Sequence, residues 1–449
     1  MVMNINEKLN SLQKKKAISL HVPGHHNNTI GYLNELNVAM DMTEITGLDD
    51  LHQPEECIRK SMSQLNRFPH YNGQYLVNGT TVGILSVIYA VQHLSGEILI
   101  PRNAHKSIYN ALNLTKQDAR WMPMTVSEKT GQYNGVETLS SVDLSNIKLA
   151  VFTYPNYYGE TFDIEESIKL LKAHNIPILV DEAHGAHFGV SSYFPKSSIV
   201  YGADIVVQSY HKTLPALTMG SVIYIKENLN IKTDIQDYLK MLQTSSPSYL
   251  VMASLESAEN FYKNYNDQFF KRNRKRLIET LQQVGFKVGS LEDPLKLIVS
   301  HEKLTGFEVQ SIFEESNIFV ELCHQKFILL VLPLWHHLDR FPFDELIERI
   351  NKFEIDVERI HVQEEQFELP CHSTTYKYID IEDTRNIELC SSVGEISAVD
   401  VVPYPPGVPV ILKGEIISQD IVDSLLQWLN RGGRVEGIRN KQIKVKDEQ

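Results

Sequence analysis

Through the first two thirds of the chain, short apolar runs alternate with longer amphipathic stretches, the pattern of strands and helices in a sheet buried on both faces. The runs predict strands at Ile98–Ile100, Leu149–Thr153, Ile178–Asp181, Ile205–Val207 and Ser221–Ile225, with helices over Thr81–Leu94 and Glu165–His174 between them. A longer helical stretch, Ser254–Val284, is rich in Lys, Arg, Asn and Gln and stops at Gly285, a residue that favours a helix end. These elements place a large unit over residues 51–285, behind an N-terminal segment of residues 1–50. A small αβ unit over 286–361 follows, with a strand at Leu295–Val299, a helix at Phe307–Ser316 and an apolar strand at Phe327–Leu332. Residues 362–449 differ again: they are acidic, carry the run Pro403-Tyr404-Pro405-Pro406-Gly407-Val408-Pro409, and predict a helix over Asp420–Asn430 and a frayed tail from Lys441. The expected class is α/β, with a mostly parallel sheet in the large domain, a small αβ unit and a C-terminal α+β domain.

Composition narrows the function classes. At 449 residues and 42% hydrophobic, the chain is large enough to bury a sizeable site between two or three folding units. A formal charge of -13 argues against a nucleic-acid partner, since phosphate backbones are held by clustered Lys and Arg. The cysteines Cys57, Cys323, Cys371 and Cys390 form no CxxC pair, which fits a reducing cytoplasm and suggests neither disulfides nor a thiolate metal site. After the basic run Lys14–Lys16 only Ala17–Val22 precede Pro23, too little for a signal-peptide core, and the apolar run Phe327–Trp335 is too short to span a membrane.

Three segments carry candidate chemistry. Ser209-Tyr210-His211-Lys212 follows a predicted strand, so Lys212 falls on a loop at the carboxyl edge of the sheet, where ligands bind in open α/β folds. A lysine there can form a Schiff base with a carbonyl cofactor; alone, it reads more readily as an exposed loop lysine. Upstream, the strand Ile178–Val180 delivers Asp181 of Asp181-Glu182-Ala183-His184 to the same edge, where it would pair with a pyridinium nitrogen or merely cap the next turn. Asn78-Gly79-Thr80-Thr81 precedes a predicted helix, whose free N–H groups and dipole suit a phosphate, although the same string is a good helix cap.

Together these segments resemble the ornithine/lysine/arginine decarboxylase family, bacterial pyridoxal-phosphate enzymes of the aspartate-aminotransferase fold, fold type I. The resemblance runs in order through His21-Val22-Pro23-Gly24-His25, Asp41-Met42-Thr43-Glu44, Gly47-Leu48-Asp49-Asp50-Leu51, Arg102-Asn103-Ala104-His105-Lys106-Ser107 and Tyr154-Pro155-Asn156-Tyr157-Tyr158-Gly159. It continues past the Asp181 and Lys212 segments to Thr244-Ser245-Ser246-Pro247-Ser248-Tyr249, Pro403-Tyr404-Pro405-Pro406-Gly407 and Gly414-Glu415. It implies pyridoxal 5'-phosphate attached to Lys212, its ring nitrogen paired with Asp181 and its face stacked by His105. Gly79, Thr80, Thr81, His184, Ser209 and His211 would complete the cofactor site, and Thr244 or Ser245 would reach the cofactor of a neighbouring subunit. The implied reaction is decarboxylation of arginine, lysine or ornithine to the amine, as in polyamine metabolism. The family's longer enzymes carry an N-terminal wing domain for which this chain leaves no room, so a homodimer or a small multiple of it is expected.

The chain departs from the family pattern at His26, where lysine is usual, and at Glu395, where arginine is usual. Glu395, Asp400 and Glu415 are candidate partners for a cationic side chain, but each reads more readily as a solvated acid, and the substrate's partner stays unassigned. Asp181–His184 also spells a helicase-type string, but no GxxxxGK[ST] loop accompanies it, and the 17 histidines include no HExxH pair. The closest alternative is another reaction of the same cofactor, an aminotransferase or a lyase.

Overall fold

A computed structural model of the chain describes residues 5–355, 375–404, 407–430 and 433–447. The expected boundary near residue 361, Cys371, Pro405 and Pro406 lie outside the described residues.

The large sheet has eight strands in the spatial order Thr375–Tyr376, Ala119–Trp121, Glu97–Ile100, Ile147–Thr153, Ile178–Asp181, Ile205–Gln208, Ser221–Lys226, Tyr71–Leu76. The five from Ala119–Trp121 to Ile205–Gln208 are mutually parallel, whereas Ser221–Lys226 and Thr375–Tyr376 run antiparallel to their neighbours. Alternate residues of these strands enter different cores. Phe152, Val180 and Val206 join one apolar cluster, while Val151, Leu179 and Val207 join another across the sheet. A strand whose two faces are both covered has no polar side, which is why these strands read as unbroken apolar runs.

The expected strands and helices of the large unit occur within a few residues of their predicted bounds. The Ser254–Val284 stretch is two helices, Tyr249–Asn264 and Gln268–Gln283, rather than one. Tyr265 leaves the helical conformation at φ -69° and ψ 140°, and the Asn266 carboxamide oxygen accepts from the Gln268 N–H at 2.9 Å. Short polar side chains that satisfy backbone amides locally compete with helix continuation, and here they win.

In the following unit a four-stranded antiparallel sheet, ordered Lys287–Ser290, Lys296–Ser300, Ile328–Val331, Leu322–Cys323, packs beside the helix Gly306–Glu315. That helix opens with a capping box: Thr305 accepts from the Glu308 N–H, and the Glu308 carboxylate accepts from the Thr305 N–H.

The tail expected to fray is ordered as far as Asp447. Gln442–Lys446 is the central strand of a three-stranded sheet, between Thr384–Glu388 and Ile438–Arg439. The cause is the two-residue period of Gln442-Ile443-Lys444-Val445-Lys446, which turns Ile443 and Val445 into the core, both 0% exposed. Ile443→Val is accordingly expected to lower stability by about 1 kcal/mol in urea unfolding. An unchanged midpoint would mean that this strand is not packed.

Candidate active site

Three parallel strands end at one edge of the large sheet, with Thr153 opposite Asp181 and Asp181 opposite Val207. Each then hands the chain to a loop on that edge. Asp181 Oδ1 accepts from the Ala183 N–H at 3.1 Å, so the turn-capping role open to it from sequence is filled while Asp181 also lines the cavity above the edge. Lys212 lies not on a loop but in the short helix Tyr210–Thr213, directly after the Ile205–Gln208 strand. The N-terminal segment presses on this turn: Gly24 N–H donates to the His211 carbonyl at 2.8 Å, and a Cβ at Gly24 would stand 2.7 Å from the Leu214 carbonyl oxygen. Only glycine allows that approach.

The cavity measures about 830 Å3 and is lined by Thr80, His105, Asp181, His184 and Lys212 from the large unit. Leu322, Cys323 and His324 line it from the second unit, and Asp420, Asp423 and Trp428 from the helix Gln419–Asn430. Ser209 stands beside the lining, its hydroxyl 3.1 Å from that of Thr80 at the N-terminus of the helix Gly79–Ala90. That end gathers hydroxyls, free amides and the positive end of a helix dipole. Gly79, Thr81 and His211 are near in sequence but off the lining, and His211 Nδ1 lies 3.0 Å from the Gly220 carbonyl. Thr244 and Ser245 are exposed outside the cavity, where Thr244 N–H donates to Asn78 Oδ1 at 3.1 Å. His105 caps the helix Lys106–Thr115, Nδ1 accepting from the Ser107 N–H, and lines the cavity as well.

Burial sets the protonation of these groups. It raises the Asp181 carboxyl, opposed by the Lys212 charge and the Ala183 amide, and lowers Lys212, opposed by Asp181 and Glu321. Burial also lowers His105 to about 3 and His184 well below its ordinary value, with Lys212 adding to both, so each imidazole is neutral near pH 7. Lys212 Nζ lies 3.0 Å from His184 Nε2, and the Tyr157 ring meets His184 edge-on at 4.6 Å.

Several members escaped the sequence reading. Lys296, fully buried, places Nζ 3.4 Å from His184 Nδ1, and Glu321 accepts from the Val22 N–H at 2.8 Å and from the Tyr157 hydroxyl at 2.5 Å. No local pattern distinguishes Lys296 from other strand lysines. The three acids weighed from sequence are engaged elsewhere. Glu395 pairs with Arg385 at 2.8 Å, Asp400 accepts from the Lys413 N–H at 2.8 Å, and Glu415 pairs with buried Arg102 at 3.5 Å. His26, the departure near the N-terminus, is buried with Nδ1 2.9 Å from the Ser19 carbonyl and serves packing there.

The donor set suits an anionic, aromatic aldehyde: a primary amine of lowered basicity, a buried carboxylate, and hydroxyls at a helix N-terminus. Thr153 Oγ1 and Asn103 Oδ1, buried atoms of half-buried lining residues, have no hydrogen-bond partner among the described residues and leave polar capacity for such a group.

Comparison with known proteins gives matches over most of the chain. Residues 5–293 match Orn/Lys/Arg decarboxylase, major domain, and residues 359–436 match Orn/Lys/Arg decarboxylase, C-terminal domain. The uncharacterized protein YaaO of Bacillus subtilis is 34% identical, covering 96% of this chain and 96% of its own. An arginine decarboxylase of Bacillus subtilis is 30% identical over 94% of this chain and 93% of its own. Among solved structures, lysine decarboxylase A from Pseudomonas aeruginosa superposes with a TM-score of 0.70 at 15% identity, covering 91% of this chain and 74% of its own. The fold is therefore that of the type I pyridoxal-phosphate enzymes, as expected.

Proposed function

The chain belongs to the Orn/Lys/Arg decarboxylase family and is an amino acid decarboxylase with pyridoxal 5'-phosphate as cofactor, and from that premise we propose that its substrate is a basic amino acid, arginine first among them. One observation carries this reading: a single cavity joins Lys212 and Asp181 to the acids Asp420 and Asp423. A substrate with a carboxylate to lose and a cation at its far end suits both groups, and a guanidinium matches carboxylates best because its fork presents parallel N–H donors. The 30% identity to an arginine decarboxylase supports the choice within the class.

When bound, the cofactor supplies the electron sink for the charge left at Cα as carbon dioxide departs. Lys212, whose basicity burial lowers, would anchor the cofactor's carbonyl carbon. Asp181 offers a carboxylate to the ring nitrogen, and neutral His105 offers a flat face to the ring. Thr80 and Ser209, beside Gly79, Thr81 and His211, would hold the phosphate at the helix N-terminus, and His184 Nε2 stands 3.0 Å from Lys212 Nζ. In this reading Thr244 or Ser245 completes the cavity of a second copy in a homodimer. Support comes from exposed Met241 and Leu242 just before them, and from Met219, exposed beside Asn78 and Gly79. A cytoplasmic enzyme fits the scattered cysteines, and among the described residues no helix is long and apolar enough to cross a membrane.

Carbon dioxide release from arginine, lysine, ornithine and neutral amino acids tests the proposal. Release is expected from arginine above all, with Asp423→Asn raising KM about 10- to 100-fold for basic substrates, the scale of a lost charged hydrogen bond. No release from any basic amino acid by the cofactor-loaded protein would overturn it.

A further inference from the structure

Lys296 is a buried lysine that the proposed chemistry leaves unused. It begins the strand Lys296–Ser300, is 0% exposed, and does not line the cavity. Its alkyl stem is clamped by Gly159, which sits at φ +91° and whose Cβ, were there one, would fall 2.6 Å from Lys296 Cγ. Burying an ammonium costs several kcal/mol unless something compensates it, on the order of the desolvation penalty for any ion. Burial lowers Lys296, with Lys212 adding to the shift, while Glu321 and Asp293 oppose it and favour the ammonium. Asp293 is itself fixed by His187 Nε2 at 2.9 Å, and its N–H donates to the Gly159 carbonyl at 2.9 Å.

His184 stands between the two lysines, Nδ1 at 3.4 Å from Lys296 Nζ and Nε2 at 3.0 Å from Lys212 Nζ. A neutral imidazole donates from one nitrogen and accepts at the other, so whichever neighbour claims one nitrogen decides what the other can do. An ammonium can only donate. We propose that Lys296 is a positioning residue: by donating to Nδ1 it holds His184 as the Nε2–H tautomer, so that the imidazole donates toward Lys212 and favours that lysine as the free amine. The free amine is the form that attacks a carbonyl carbon. The remaining groups facing His184 are His105, His211 and the Tyr157 ring; Lys296 also faces Tyr157, its Nζ 5.8 Å from the ring centre.

This inference rests on reading Lys212 as the cofactor anchor, so the experiment reads the amine in cofactor-free protein, and its failure leaves the decarboxylase reading standing. Acetylation of Lys212 by acetic anhydride, followed by peptide mass spectrometry across pH, gives the midpoint at which the amine becomes reactive. Lys296→Met is expected to raise that midpoint by about one unit, a tenfold loss of free amine below it, and Lys296→Arg to leave it near wild type. In a His184→Phe background the same Lys296→Met change is expected to move it much less. An unmoved midpoint in Lys296→Met, an equal shift in Lys296→Arg, or an undiminished shift without His184 would overturn the proposal. The wild type provides a check that needs no lysine variant. In protein labelled with 15N-histidine, the imidazole signals missing from His184→Gln should report Nε2–H, and Nδ1–H would overturn the assignment.

Discussion

Lys212→Ala is expected to reduce carbon dioxide release by more than about a thousandfold, the scale on which loss of a covalent anchor or positioned proton carrier is felt. Lys212 lines the cavity at the carboxyl edge of the sheet, and burial lowers its basicity while Asp181 and Glu321 oppose the shift. No other lysine lines the cavity among the described residues, and Lys296 lies behind His184. Borohydride reduction of cofactor-loaded wild type followed by peptide mass spectrometry is expected to find the pyridoxyl group on Lys212, and to find none on that peptide in the variant. Because Lys212 is only half-buried as a residue and fills no apolar core, the variant should remain folded, with near-wild-type urea unfolding. Retained activity, or a label on Lys296, would refute the assignment.

The second large effect concerns stability. Arg67 and Glu259 are an ion pair with Nε 3.3 Å from Oε2, their side chains 6% and 1% exposed. The guanidinium carbon lies 3.8 Å from the Tyr262 ring centre and 5.2 Å from that of Tyr210, and Nη2 donates to the hydroxyls of Tyr210 and Tyr224. Glu259 Oε2 accepts in turn from the Tyr210 hydroxyl at 2.9 Å. Removing one member of such a pair strands the other charge in a medium of low polarity, which costs more than the pair itself was worth. Arg67→Met is therefore expected to destabilise by about 3–5 kcal/mol in urea unfolding. Glu259→Gln should also destabilise, and the double variant should lose less than the sum, because the stranded charge is gone. Tyr210 opens the helix that carries Lys212, so the same change should loosen the anchor. A loss below about 0.5 kcal/mol, the range of an ordinary surface substitution, would show that the cluster bears no such weight.

These expectations draw on sequence and structure unequally. The strands Ile178–Asp181 and Ile205–Gln208 were legible because burial on both faces imposes unbroken apolar runs, and such runs survive in the sequence as length and composition. Asp181 and Lys212 were legible because parallel strands share a direction, so the residues after each strand fall on the same edge whatever the intervening helix does, and Thr80 because a helix N-terminus leaves its amides free. The split between Tyr249–Asn264 and Gln268–Gln283 was not, since Asn and Asp are tolerated inside helices, and the local cap at Asn266 wins where Tyr265 packs against Phe194 and Phe261. The ordered tail was misread because five residues of alternation mean little until a neighbouring strand pairs with them.

By itself, then, the sequence determined the α/β class, the edge at which the candidate chemistry gathers, and the residue types that gather there, because local pattern and strand direction are properties of contiguous residues. The tertiary structure decided which distant charges meet. Lys296 behind His184, Glu321 on Tyr157 and Val22, Asp420 and Asp423 in the cavity, and Arg67 beneath Tyr210 are brought together by packing of segments far apart in the chain. The energy that selects those meetings is the cost of burying a charge unpaired, and that cost depends on what lies across the interface, not on a residue's neighbours in sequence.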